Sequence, residues 1–246
     1  MIKRFISCTE NMLLKYVYPK SIYCIVCGAI IDDTRHYSLC DDCMTTLNWS
    51  NQEDNGFIRT FCETAGPEIQ DVYTCFIYGN REKIPILALK HRGETYISRE
   101  LGEIMYDRIM LEVKRHYGEL FFDIIIPVPL HYKRMRQRGY NQAELLAKEV
   151  STRIGVPMEK DAIIRIRNTD KTKNMSKEER ADNIKNAFSL KNAARINKKS
   201  ILLIDDVYTT GATAKEVAKT LKQGGAKNIY LLTAAAGSPR KIMLKN

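Results

Sequence analysis

The sequence lacks the features that define several large protein classes. No apolar run approaches the roughly 18 residues that a membrane-spanning helix needs, which argues against a membrane span. Met1 to Ser7 (MIKRFIS) has neither the long apolar stretch nor the small-residue cleavage site of a secretory signal. Seven cysteines is an odd number, a poor fit to a disulfide framework, so a reducing cytoplasm is the expected setting. No internal repeat with a period of about 20 to 50 residues and no low-complexity tract is evident. Neither the Gly-Lys-Ser/Thr of an ATP-type P-loop nor the G-x-G-x-x-G of a dinucleotide site occurs. Acidic residues are scarce as well: 29 Asp and Glu face 39 Lys and Arg, leaving a net charge of +10. That excess favours an anionic partner, nucleic acid or a phosphorylated small molecule, without choosing between them.

What is present is a globular chain of 246 residues, 44% hydrophobic and 28% charged, long enough for one large domain with a small accessory. Lys3 and Arg4 before Phe5 and Ile6 admit a short surface-seeking helix, but Met12, Leu13, Leu14, Tyr16 and Val17 read as packing residues. A cysteine-bearing head spans Ser21 to Leu47, and Asn48 to Gln70 reads as a linker with at most a short helix. The domain boundary is placed near 65, giving an N-terminal segment 1–65 and a main domain 66–246.

Beyond that boundary strands and helices alternate. Val72 to Tyr78, Asp123 to Val128, Ser200 to Ile204 and Ile229 to Thr233 read as buried strands. Arg99 to His116, Asn141 to Ile154 and Ala214 to Leu221 read as helices, the second carrying Ala143, Leu146, Ala147, Val150 and Ile154 on one face before Gly155 and Pro157 stop it. Continuous apolar strands separated by amphipathic helices predict an α/β fold, a mostly parallel sheet covered on both faces.

In the head, Cys24 and Cys27 form one CxxC and Cys40 and Cys43 another, with 12 residues between to bring the chain back. Four thiolates at this spacing suit one tetrahedral zinc ion, and so small a unit needs such a staple. Gly28 is expected to take a positive φ in the first knuckle. Two disulfides or a redox-active pair are the competing readings, and both need a different setting. His36 reads as a surface side chain, and Cys8, Cys62 and Cys75 as small buried apolar residues.

Ile201 to Thr213 (ILLIDDVYTTGAT) is the most informative stretch. An apolar strand ending in Asp205 and Asp206 offers carboxylates to sugar hydroxyls at the edge of a crevice. The loop with Thr209, Thr210, Gly211 and Ala212, and the helix that begins near Thr213, offer N–H groups, hydroxyls and the positive end of a helix dipole to a phosphate. Together they read as recognition of a ribose 5-phosphate, against the blander reading of a capped helix and a solvated loop. His131 to Tyr140 (HYKRMRQRGY) has four cations and no acid, and reads as an anion-binding loop or a solvated basic turn. Arg165 to Arg180 reads as a mobile hood, a strip that tracks phosphates of single-stranded DNA beside Tyr132 and Tyr140, or a solvated loop.

The Ile201 to Thr213 stretch resembles the 5-phosphoribosyl-1-pyrophosphate (PRPP) signature of type I phosphoribosyltransferases. The cysteine head followed by such a domain is similar to the ComF (ComFC, GntX-like) family associated with natural transformation, over nearly the whole chain. Lys90 to Gly93 (KHRG), Pro127 to Leu130 (PVPL), Arg138 to Gln142 (RGYNQ) and the pattern Glu179, Arg180, Asn183, Ala187, Phe188 carry that resemblance. It implies a type I phosphoribosyltransferase-like fold with an N-terminal zinc ribbon, and PRPP as ligand with Mg²⁺ bridging its oxygens. Arg134, Arg136 and Arg138, in the loop after the first strand, are then candidates for pyrophosphate. Two functions follow. One is phosphoribosyl transfer, with Asp205 and Asp206 on the ribose hydroxyls. The other is a non-catalytic role in DNA uptake, the basic face holding single strands and the zinc head contacting a helicase-type partner. Two positions depart from the pattern: Thr172 stands where the family's T-x-x-Q-x-x-L, here Thr169 to Met175, has Gln, and Thr209 where purine transferases carry an aspartate near the base. A hydroxyl cannot serve as a carboxylate base, so a purine acceptor gains no support.

Overall fold

The computed structural model describes residues 22–50, 61–168 and 177–237. Contacts divide the chain into two compact units, Met1–Leu47 and Asn48–Asn246. The boundary expected near 65 thus falls inside the second unit, for a physical reason. Ser50 N–H donates to Cys75 O (2.9 Å) and Ile77 N–H to Asn48 O (2.8 Å), while Phe61 and Ala65 are fully buried in the core of the larger unit.

In the first unit, helix α1 (Asp41–Thr46) carries the second cysteine pair, with Cys40 as its N-cap and Cys43 buried within its length. Gly28 has φ +75°, as the knuckle requires, and its N–H donates to Cys24 O at 2.9 Å. His36 is exposed beside Tyr37.

The second unit is built on a four-stranded parallel sheet of order β1 (Asp71–Ile77), β6 (Asn228–Ala236), β5 (Ser200–Tyr208), β2 (Ile124–Pro127). Each strand is an apolar run, and Ile201 to Ile204 are all fully buried. Since neighbouring side chains on a strand face opposite ways, this requires cover on both faces. Ile201 and Leu203 pack with Val217, Ala218 and Leu221 of α7 (Ala212–Gln223). Helices α3 (Ile97–His116) and α5 (Gln142–Ile154) pack on each other and on the sheet.

Among the described residues, shorter helices lie between these elements. α2 (Lys83–Leu87) runs into a π-helical turn, Ala88–Arg92, which ends at Gly93 in the left-handed region. α4 (Tyr132–Arg138) occupies the basic segment expected to be a loop. It is short but capped at both ends: His131 Nδ1 accepts Lys133 N–H at 3.3 Å, and Gly139, at φ +84°, ends it. α6 (Lys177–Ile184) precedes β4 (Phe188–Leu190), which pairs antiparallel with β3 (Ile163–Arg165) in a separate two-stranded sheet. Thr169, Thr172 and Met175 lie outside the described residues, as does Cys8.

Candidate functional site

The cysteine head brings its four thiols together. The sulfur atoms of Cys24, Cys27, Cys40 and Cys43 all lie within 4.8 Å of one another, and Cys27 Sγ is 3.6 Å from Cys40 Sγ. A tetrahedral zinc with bonds of about 2.3 Å sets its sulfurs about 3.8 Å apart, so the cluster fits a zinc ribbon. Cys43 N–H points at Cys40 Sγ (3.5 Å). Burial raises the Cys24 thiol, but N–H groups of Cys27, Cys40 and Val26 outweigh it and bring it down to about 7, easing its conversion to a thiolate ligand. Cys75 is buried, and the half-buried Cys62 points its thiol at Asp71 Oδ1, so neither joins the cluster.

In the larger unit a cleft of about 380 Å³ opens where the adjacent parallel strands β2 and β5 end. This is the crevice in which α/β sheets hold ligands. Asp205 and Asp206 line it with Val128 to Leu130, Arg134, Arg138, Arg165, Lys90, Thr209 and Thr213. The strand expected to stop at the aspartates continues to Tyr208, because β6 pairs with it as far as Ala236. Both carboxylates nonetheless reach the cleft.

The two aspartates differ. Asp206 Oδ1 lies 2.9 Å from Lys90 Nζ, in a pair whose side chains are 21% (Lys90) and 14% (Asp206) exposed. Asp205 Oδ1 accepts the backbone N–H of Asp206 at 2.8 Å. Burial, reinforced by the charge of Asp206, pushes Asp205 up to about 7 against the opposing pull of Lys90 and Arg165. Burial and then Arg134 bring Arg165 down to about 10, and Arg134 is lowered by burial and by Arg138. Cations held so close in a desolvated cleft gain from an anionic ligand.

Of the loop residues, Thr209 and Thr213 border the cleft at the start of α7, while Thr210, Gly211 and Ala212 are not among its lining residues. Gly211 is buried at φ +77°, and a Cβ there would collide with Tyr208 Oη and lie 3.0 Å from Thr64 O. Glycine is thus required for packing under the loop as well as for its backbone conformation. Arg134 and Arg138 line the cleft, but Arg136 is exposed and outside its lining. Arg138 is steadied by Gln142 Oε1 at 2.8 Å. Tyr140 is no open stacking platform, since its hydroxyl donates to Leu89 O at 2.6 Å, whereas Tyr132 is 59% exposed.

Sequence reasoning did not place Lys90 and Arg165 at the carboxylates. Lys90 lies in the KHRG segment, whose signal in the sequence is its family likeness, and Arg165 opens a stretch that reads equally as a hood, a phosphate-tracking strip or a solvated loop, although it closes β3.

The parallel sheet, the acidic pair in β5 and the helix that follows that strand are those of a phosphoribosyltransferase-like fold, and residues 141–244 match the phosphoribosyl transferase domain family. The chain is 29% identical over 209 residues to Competence protein F of Haemophilus influenzae, spanning 84% of this chain and 88% of that protein. It is 31% identical over 170 residues to DNA utilization protein YhgH of Escherichia coli O157:H7, spanning 69% and 74%, respectively. Competence protein ComFC of Streptococcus pneumoniae is 26% identical over 236 residues, with 84% and 96% covered. The chain belongs to the ComF family. Among the described residues, no helix is long and apolar enough to cross a membrane.

Proposed function

We propose that this protein binds PRPP together with Mg²⁺ in the cleft at the ends of β2 and β5, and that it serves DNA uptake or utilization in a reducing cytoplasm. The observation that carries the reading is the convergence of Asp205 and Asp206 with the start of α7 and with three arginines in one cleft. Asp205 and Asp206 take the ribose hydroxyls. Thr209, Thr213 and the α7 N-terminus take the 5′-phosphate, the N–H groups of Thr210 to Ala212 belonging to the same turn. Arg134 and Arg138 take the pyrophosphate, with Arg136 assigned no direct contact. Mg²⁺ would be held by the ligand's own oxygens beside the carboxylates, where it supplies charge neutralisation at the diphosphate. In a transfer reaction the C1–oxygen bond breaks, its electron pair leaves with pyrophosphate, and an acceptor bonds to C1. Cationic side chains that hold the leaving group favour that step. The cysteine head holds structural zinc in this reading.

The supporting experiment compares thermal stabilisation of the protein by ribose 5-phosphate, 2-deoxyribose 5-phosphate, pyrophosphate and PRPP. PRPP is expected to stabilise most, and the deoxy sugar less than ribose 5-phosphate because it lacks a hydroxyl for the carboxylates. Equal responses to the two sugars would count against the reading.

A second reading is favoured by one observation: Tyr132, Lys133 and Arg136 are exposed on α4 and are not among the residues lining the cleft. On this reading the protein is a non-catalytic accessory that binds single-stranded DNA there and meets a helicase-type partner through its cysteine head. Its binding to single strands would weaken steeply with salt and be indifferent to Asp205 and Asp206.

A further inference from the structure

Lys90 reaches the cleft by an unusual route. It sits in the π-helical turn Ala88–Arg92, within which the carbonyl of the residue before it, Leu89 O, accepts the hydroxyl of Tyr140 at 2.6 Å. π-Turns are rare and concentrate at functional positions. Here the turn sets an ammonium 2.9 Å from Asp206 Oδ1, largely shielded from water, beside a second carboxyl group on Asp205. Two adjacent carboxylates in a desolvated cleft repel each other and attract any available cation. In this chain the cation is covalently attached.

We propose that Lys90 is a built-in counter-ion that makes entry of a divalent cation conditional on the phosphorylated ligand. In the free protein its ammonium occupies the cation-attracting side of Asp206, so a free metal ion finds little net negative charge. A phosphorylated sugar engages the carboxyl groups through its hydroxyls and presents its own anionic oxygens to Lys90. The ammonium then moves from Asp206 to the ligand, and the metal arrives as part of the ligand complex. Tyr140 is the positioning residue that fixes the turn from which Lys90 extends. The inference rests on the PRPP reading for the ligand's identity, but its metal-exclusion half is independent of that reading.

The test titrates Mn²⁺, as a spectroscopic probe for Mg²⁺, into the zinc-loaded full chain without any sugar phosphate. Wild-type protein and Lys90→Arg, which keeps the charge, are expected to bind Mn²⁺ weakly, and Lys90→Gln at least about tenfold more tightly. Adding Asp206→Asn to Lys90→Gln should abolish the gain. Equal Mn²⁺ affinity in wild-type and Lys90→Gln proteins, or a gain that survives Asp206→Asn, would overturn the proposal. A second measurement does not depend on any Lys90 variant folding. Acetylation of Lys90 by acetic anhydride, followed by peptide mass mapping, is expected to run at least about fivefold faster in Asp206→Asn than in wild-type protein. Equal rates would contradict the ion pair's role. If PRPP fails to bind any of these proteins while the Mn²⁺ gain appears, the counter-ion role stands and the PRPP reading falls.

Discussion

The backbone N–H of Asp206 donates to the carboxylate of Asp205 at 2.8 Å, while the side chain of Asp206 is turned to Lys90 at 2.9 Å. One acid of the pair is thereby matched to a fixed cation, and the other is left to burial and to its neighbour's charge. The two residues should therefore respond differently to substitution and to pH.

Asp205 is raised from 3.8 to about 7 by burial first and by Asp206 second. Between roughly pH 4 and pH 7 the folded protein holds a proton that the unfolded chain has released, so stability from this group falls as pH rises through that window. Asp205→Asn is expected to melt above wild type at pH 8, by on the order of 1–2 kcal/mol, with the difference closing toward pH 5. Melting curves across pH 5 to 8 check the sign. The same substitution should weaken ligand binding, as expected where a site holds an unfavourable charge for function.

The basic helix offers a built-in control. Arg138 lines the cleft and is held by Gln142, whereas Arg136 is exposed and outside its lining. Arg138→Ala is expected to weaken PRPP binding by about tenfold or more, and Arg136→Ala by less than about twofold. Equal losses would remove Arg138 from the site.

Much of this arrangement is legible in the sequence, and the rest fails for identifiable reasons. The apolar runs at Ser200 and Ile229 and the Ala214, Val217, Ala218, Leu221 stripe announce a strand-helix-strand unit, because burial fixes those periodicities locally. The aspartate pair is readable for the same reason. The extension of β5 to Tyr208 is not, since it depends on pairing with Ala236 far along the chain. The helical form of Tyr132–Arg138 is hidden by a run of cations with no apolar stripe, and is recovered only from the caps at His131 and Gly139. Lys90 and Arg165 reach the carboxylates through tertiary placement, to which no local pattern points.

Gly211 should tolerate no side chain. Its φ of +77° and the collision of a Cβ with Tyr208 Oη predict that Gly211→Ala costs about 2 kcal/mol or more. Chemical denaturation measures the loss, and Tyr208→Phe, which removes the obstructing oxygen, should recover part of it in the double variant.

The head should contain one zinc ion per chain on Cys24, Cys27, Cys40 and Cys43. Metal analysis is expected to find it in wild-type and Cys75→Ser proteins and to find it lost in Cys24→Ser. Retention of zinc by Cys24→Ser would reassign the ligands.

The most direct test of the account is a calorimetric titration of zinc-loaded protein with PRPP, with and without Mg²⁺, beside the variant carrying Asp205→Asn and Asp206→Asn. Saturable binding that needs Mg²⁺ and is lost in the variant is the expected result. Equal binding by both proteins, or none by either, would contradict the assignment of this cleft to PRPP.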